Sequence, residues 1–303
     1  MNAPKSQIVT IHDEIKQFCS WIEDMYAGQP DNALKTGFKD LDDLTGGLHQ
    51  GNLAILASLP GMGKTAFSLN IVEHVAINLK QGVLILSPEI SRRKIVERLI
   101  SSRSRILLRV LQAGFSDTTR AEWDQLCVTV TELADSPIFI DDSTGLKIDQ
   151  IMANVRTLKQ QKDIQLVVID CLHRLTRDSC PFFDSYQDEV PLITWHLKAL
   201  AEELDIPILA LCQLNHTVAK NHLMNPHLND LGPLISIDHY ADIIMFLSRR
   251  EYSVKEGKDP KHLKGKSTVA LVKNRHGVNG SFGLHFLDLI TRFEKRRTSS
   301  TTS

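Results

Sequence analysis

The 303-residue chain carries a formal net charge of -1, with 42% hydrophobic and 23% charged residues, ordinary values for a globular protein in water. That length holds one large α/β domain or two small ones, and the charge balance excludes a global basic field, although an assembly can still concentrate lysines and arginines locally. No apolar stretch approaches the ~20 residues of a membrane span, and the five cysteines, with no Cys-x-x-Cys pair and no signal peptide, read as reduced, mostly buried thiols of a cytoplasmic protein.

Ile11, Ile15, Phe18, Ile22 and Met25 recur at helical spacing and predict an amphipathic helix over 10–26. Gly28 to Asn32, with Pro30 among them, break it, so residues 1–32 read as a linker helix and tether. The helix packs either on its own domain or on a neighbouring subunit; spacing does not separate the two.

From Thr36 the pattern becomes strands alternating with helices. Strand-like apolar runs fall at 53–57, 83–87, 137–140, 165–169, 207–211, 243–247 and 268–272, with helical periodicity at 65–80, 91–103, 119–134, 147–161 and 188–204. This alternation predicts an α/β domain over 33–290, with a mostly parallel central sheet flanked by helices. The near-continuous apolar runs Leu166 to Ile169 and Ile206 to Leu211 suit a sheet covered on both faces. Residues 213–240 and the lysine-rich 252–266 break the regularity, as functional loops often do. Residues 291–303 read as a flexible polar tail.

Between the run 53–57 and the helical pattern near Thr65 stands Ser58-Leu59-Pro60-Gly61-Met62-Gly63-Lys64-Thr65. Strand, glycine loop and helix are what a phosphate-binding loop requires. Backbone N–H groups and the positive helix end cradle phosphates, Lys64 reaches the β/γ oxygens, and the Thr65 hydroxyl ligates Mg²⁺. The strict pattern opens with glycine where this chain has Ser58. A tight turn with a surface lysine is the bland alternative, but Gly-Lys-Thr in this context has few structural reasons to exist. The loop assigns ATP and Mg²⁺, with Ser58, Pro60, Gly61, Met62, Gly63, Lys64, Thr65 and Ala66 around the nucleotide.

An ATPase also needs a carboxylate near Mg²⁺, a group orienting water, and positive charge on the γ-phosphate. Asp170 ends the run 166–169 at a strand tip and suits the Mg²⁺ side; alone it is also an ordinary turn aspartate. Glu89 follows the run 83–87, on the sheet edge where ligands of open α/β sheets lie, and suits a general base. Its plain reading is a carboxylate favoured at a helix N-terminus. Gln213 ends the run 206–211 and suits a γ-phosphate sensor, a weak signal by itself. His216, His222 and His227 form a spaced trio that no carboxylate or cysteine completes as a metal set.

Together these residues resemble the ATPase domain of DnaB-type replicative helicases, in the RecA-like superfamily of P-loop NTPases. The resemblance rests on Thr36-Gly37-Phe38-Lys39-Asp40-Leu41-Asp42, Gly46-Gly47-Leu48, the loop 58–65, Ser87-Pro88-Glu89, Phe139 to Ser143 and Val168-Ile169-Asp170. It continues through Leu197 to Ala201, Gln213-Leu214-Asn215, Ala241 to Phe246 and Lys273-Asn274-Arg275-His276-Gly277, with a flavour of plasmid and phage helicases. The resemblance implies a homo-oligomeric ring of six, ATP between neighbours and single-stranded DNA in the channel. It gives Lys64 and Thr65 the phosphate and Mg²⁺, Glu89 the base and Asp170 the Mg²⁺ side. Gln213 would couple nucleotide to DNA loops, while Lys273 and Arg275 would enter the next subunit's site, Arg275 as arginine finger. It also implies that the linker helix docks on an adjacent subunit.

Three departures accompany it. Only about thirty residues precede Asp31, so the family's separate N-terminal domain is expected to be missing. The family's Asp-Tyr-Leu-Gln reads Asp170-Cys171-Leu172-His173, and its Asp-Leu-Arg-x-Ser-Gly reads Asp230-Leu231-Gly232-Pro233-Leu234-Ile235. The arginine that usually follows Gln-Leu-Asn is His216, mostly neutral near pH 7. Each lost cation flattens the salt dependence of single-strand binding by roughly 0.7 log unit per log salt. The resulting expectation is an ATP-dependent 5′-to-3′ DNA helicase, served by a loader or a full-length paralogue. The other reading is a regulatory or accessory ATPase ring that no longer translocates.

Overall fold

The computed structural model describes residues 10–26, 33–114, 119–145, 147–175, 186–214, 226–253 and 263–296. The chain divides into two units, Met1–Ala33 and Leu34–Ser303. The first holds helix α1 (Ile11–Tyr26), whose Thr10 hydroxyl accepts from the Asp13 amide at 3.3 Å. Its Ile11, Ile15, Phe18 and Ile22 are exposed. The expected tether from 27 to 32 lies outside the described residues.

The second unit opens with α2 (Lys39–Thr45), closed by Gly46 in the left-handed conformation. Then come β1 (Leu53–Ser58), α3 (Lys64–Glu73), β2 (Gly82–Leu86), α4 (Arg92–Ser104), α5 (Leu108–Ala113) and α6 (Arg120–Ala134). They continue with β3 (Ile138–Asp141), α7 (Ile148–Lys162), β4 (Ile164–Asp170), α8 (Tyr186–Leu204) and β5 (Ile208–Gln213). The last four are β6 (Ile243–Arg249), β7 (Lys266–Asn274), β8 (Gly280–Leu287) and β9 (Arg292–Lys295).

Among the described residues, nine strands join one sheet in the order β3-β2-β4-β5-β1-β6-β7-β8-β9. The strands from β3 to β6 pair parallel, and β7, β8 and β9 extend the sheet antiparallel. Strands β1, β2, β5 and β6 are buried almost throughout, as continuous apolar runs covered on two faces should be. In register, Ser58 stands beside Gln213 and Asp170 beside Leu211, so the C-terminal tips of β1, β4 and β5 are level. That shared edge is the ligand edge of an open α/β sheet.

Three expectations need correction. The helix over 65–80 is α-helical only to Glu73, after which His74–Asn78 form a π-helical turn. Two of the four described cysteines, Cys19 and Cys127, are exposed, whereas Cys171 and Cys212 are buried; Cys180 lies outside the described residues. The polar tail from 291 is also revised: Arg292–Lys295 form β9, and Phe293 is buried against Phe67 and Phe286 at ring distances of 5.7 and 4.4 Å.

β9 is held by charge as well as by its aromatic ring. Arg292 Nη1 donates to both carboxylate oxygens of Glu73 (2.9 and 3.0 Å), and Arg103 approaches the same buried carboxylate at 3.6 Å. The Phe293 amide donates to Asn70 Oδ1 at 2.8 Å. These contacts join α3, α4 and β9 into one wall.

Candidate nucleotide site

The turn from β1 into α3 uses two glycines with positive φ, Gly61 (75°) and Gly63 (97°). A Cβ on Gly63 would also lie 3.0 Å from the Phe293 ring, so the loop needs glycine there for conformation and for space. Gly63 caps α3, whose first residue is Lys64; the free amides of that helix end therefore face the loop's concavity. Arg249 on β6 braces the loop, donating to the Gly61 carbonyl at 3.3 Å while stacking 4.8 Å over the Phe286 ring.

Lys64 is 9% exposed. Its ammonium donates to the Ser58 carbonyl and hydroxyl, both at 3.2 Å, and to the Leu59 carbonyl at 3.4 Å. Every acceptor is neutral, and burial lowers the lysine's pKa against the opposing pull of Asp170. A buried cation with only neutral acceptors is a strong anion seeker.

Thr65 Oγ1 donates to Asp170 Oδ2 at 2.6 Å, bringing the two expected Mg²⁺-side residues together. Burial raises the Asp170 pKa above its ordinary value, partly offset by the Thr65 hydrogen bond. Glu89 leaves the tip of β2 and opens toward the cavity. The Cys171 thiol donates to its Oε2 at 3.0 Å, and His173 Nε2 stands 3.6 Å away.

A cavity of about 360 Å³ collects these groups: Pro60, Gly61, Gly63, Lys64, Thr65 and Ala66 from the loop and α3, then Glu89, Asp170 and Gln213 from the strand tips. Ser58 and Met62 are buried behind the loop and do not line it. Lys273 and Arg275 are not brought to it. Lys273 Nζ lies 2.8 Å from Asp238 Oδ1, while Arg275 reaches Asp242 Oδ1 at 3.2 Å and donates to the His239 carbonyl at 2.8 Å. Asp242 also accepts from the Leu53 amide and from Lys198, both at 2.8 Å, so Arg275 stands on a well-fixed anchor with 41% of its side chain exposed.

Sequence reasoning missed five members of the wall, Ile90, Arg98, Cys171, Phe286 and Thr291. Arg98 had a signal: it lies on the helical face of buried Ile95 and Leu99, an odd place for a cation. Burial lowers its pKa and Asp170 raises it. Of the segment expected to meet DNA, His216 and His222 lie outside the described residues. Leu228–His239 form 3-10 turns capped by Asp230, whose carboxylate accepts from the His227 amide at 2.7 Å.

A glycine loop, a buried lysine, a threonine–aspartate pair and a carboxylate share one strand edge, the arrangement that a phosphate-binding loop requires. Residues 33–295 match the model of the DnaB-like helicase C-terminal domain. The chain belongs to that family. Replicative DNA helicase DnaC of Bacillus subtilis is 32% identical over 289 residues, 95% of this chain and 62% of that protein. Replicative DNA helicase DnaB of Geobacillus stearothermophilus is 34% identical over 260 residues, 86% of this chain and 56% of that protein. The chain thus spans little more than half the length of these curated relatives.

Among solved structures, one described as an ATPase domain superposes with a TM-score of 0.83 at 28% identity, covering 93% of this chain and 98% of that one. A DnaB-like replicative helicase, described together with its interactions with primase, gives 0.83 at 28% identity over 97% of this chain and 69% of that one. The RecA-like core of this family is therefore the fold of residues 34–295. Among the described residues no helix is long and apolar enough to cross a membrane.

Proposed function

We propose that this DnaB-family domain is the ATP-driven motor of a replicative DNA helicase, working on single-stranded DNA as a ring of six copies in the cytoplasm. The convergence of Lys64, Thr65, Asp170, Glu89 and Gln213 on one cavity carries the reading. The donors fit the group they would receive: hard oxygens of Thr65 and Asp170 suit Mg²⁺, and the neutral surroundings of Lys64 suit phosphate. Mg²⁺ bound there by Thr65 and Asp170 supplies charge neutralisation on the phosphate oxygens.

This chain's own residues do the rest. Lys64 exchanges its carbonyl acceptors for phosphate oxygens, and the α3 amides add their dipoles. Glu89, at the open side of the cavity, takes the proton of the attacking water. Gln213, at the end of β5, couples the state of the nucleotide to the grip on DNA. Arg275 and Lys273 serve the neighbouring copy's cavity, since neither reaches its own. A loader or a full-length paralogue completes the set of proposed partners.

Strand displacement on a forked substrate, measured beside ATP hydrolysis with and without single-stranded DNA, tests the reading. DNA-stimulated hydrolysis and unwinding are expected, both abolished by Lys64→Ala. Hydrolysis that ignores DNA, with no unwinding, would instead identify a non-translocating accessory ring.

A further inference from the structure

Two sequence departures meet in space. Where the DnaB-type pattern has tyrosine and glutamine, this chain has Cys171 and His173, and both side chains converge on Glu89. Cys171 Sγ lies 3.0 Å from Glu89 Oε2 and 2.9 and 3.2 Å from His173 Nδ1 and Nε2. His173 Nε2 closes the triangle at 3.6 Å from the same carboxylate oxygen. A tetrahedral ion bound at ~2.3 Å by sulfur and ~2.0–2.1 Å by nitrogen and oxygen holds its ligand atoms roughly 3.3–3.6 Å apart. The triangle therefore has to open only by a few tenths of an ångström, along its sulfur edges.

Thiolate, imidazole and carboxylate form a borderline-soft set, distinct from the all-oxygen shell that magnesium takes. Tyrosine and glutamine at the same two positions would not offer it. Cys171 is buried, His173 is half-buried and Glu89 is exposed. Glu89 and Cys171 both line the nucleotide cavity, so an ion has an entry path and a fourth coordination position on that side.

We propose that Glu89, Cys171 and His173 form a zinc-class metal site whose occupation withdraws Glu89 from catalysis and arrests ATP hydrolysis. On binding, the Cys171 thiol releases its proton to solvent, and Sγ, one ring nitrogen and Oε2 each donate a lone pair to the ion. Water fills the fourth position. The carboxylate oxygen that would accept the water proton is then committed to the metal. Arrest rests on Glu89 being the base, as proposed above; the metal site itself does not.

Cobalt(II) added to the reduced full chain is the probe. A thiolate-to-cobalt charge-transfer band and tetrahedral visible bands are expected, displaced by zinc, lost in Cys171→Ser and weakened at least about tenfold in affinity in His173→Gln. Zinc in the presence of saturating Mg-ATP is expected to suppress the wild-type rate and to lose that effect in Cys171→Ser, each protein compared with its own metal-free rate. A band unchanged in Cys171→Ser would assign the metal to another cysteine, such as the exposed Cys19 or Cys127, and overturn the site. So would the lack of any band in wild-type protein whose thiols titrate as reduced. Equal zinc inhibition of both proteins would overturn the regulatory role. If the wild-type chain hydrolyses no ATP, the proposed function fails while the cobalt spectra still decide the site.

Discussion

Replacing Arg292 by methionine removes the partner that grips both oxygens of Glu73 while keeping most of the aliphatic volume. Glu73 is 3% exposed, so its charge is left behind in the interior. Breaking a buried pair from one side costs about 3–5 kcal/mol. Here Arg103 at 3.6 Å and the Ser102 hydroxyl at 2.9 Å still face the carboxylate, which places the loss at the lower end. For a domain of this size a loss of ~3 kcal/mol lowers Tm by roughly 6–12 °C. Calorimetry of Arg292→Met measures it, and the double variant Glu73→Leu/Arg292→Met should recover a good part, since no unpaired charge remains. A single-variant loss below ~1 kcal/mol, or a double variant as unstable as the sum of the singles, would refute a net role for the pair.

Arg275→Ala is expected to leave nucleotide binding largely intact and to cut turnover by ~10³ or more, about 4 kcal/mol. Mixing it with Glu89→Ala subunits should restore part of the activity, and no rescue would argue against a site shared between copies. Arg98→Met should lower turnover by ~10²-fold, with a smaller change in nucleotide affinity measured by fluorescence titration. Asp170→Asn should stabilise the metal-free protein at neutral pH. The raised folded pKa means the charged, desolvated form costs most above that value, and below the ordinary 3.8 the group is neutral in both states. The Tm gain of Asp170→Asn should therefore shrink as pH falls toward 4, in thermal scans run in chelator.

The edge that forms the candidate nucleotide site was legible in the sequence because its logic is local. Ser58 to Thr65, Asp170, Glu89 and Gln213 each follow a run of apolar residues, and strand tips on one edge of a parallel sheet must share a crevice. β8 was overlooked for a different reason. Phe282, Leu284 and Phe286 alternate with outward residues, so the strand has a period of two and no contiguous run. The purpose of β9 beside it is invisible locally as well. The Phe293 amide meets Asn70 across 223 residues, and the aromatic wall beside Gly63 exists only in the folded sheet. Arg98 lay in a correctly placed helix; a cation on an apolar face was the clue. The π-helical turn after Glu73 left no trace in the helical periodicity of 65–80.

The antiparallel strands beyond β6 set an order of assembly. During synthesis the phosphate loop emerges more than two hundred residues before the strand whose Phe293 closes over Gly63, the separation between Asn70 and its Phe293 partner being 223 residues. A nascent chain can pair β1 with its parallel neighbours while that wall is still missing. The packing around the loop is therefore complete only when the last strand has docked, and a chain shortened before Arg292 would lack the Phe293 ring that lies beside Gly63.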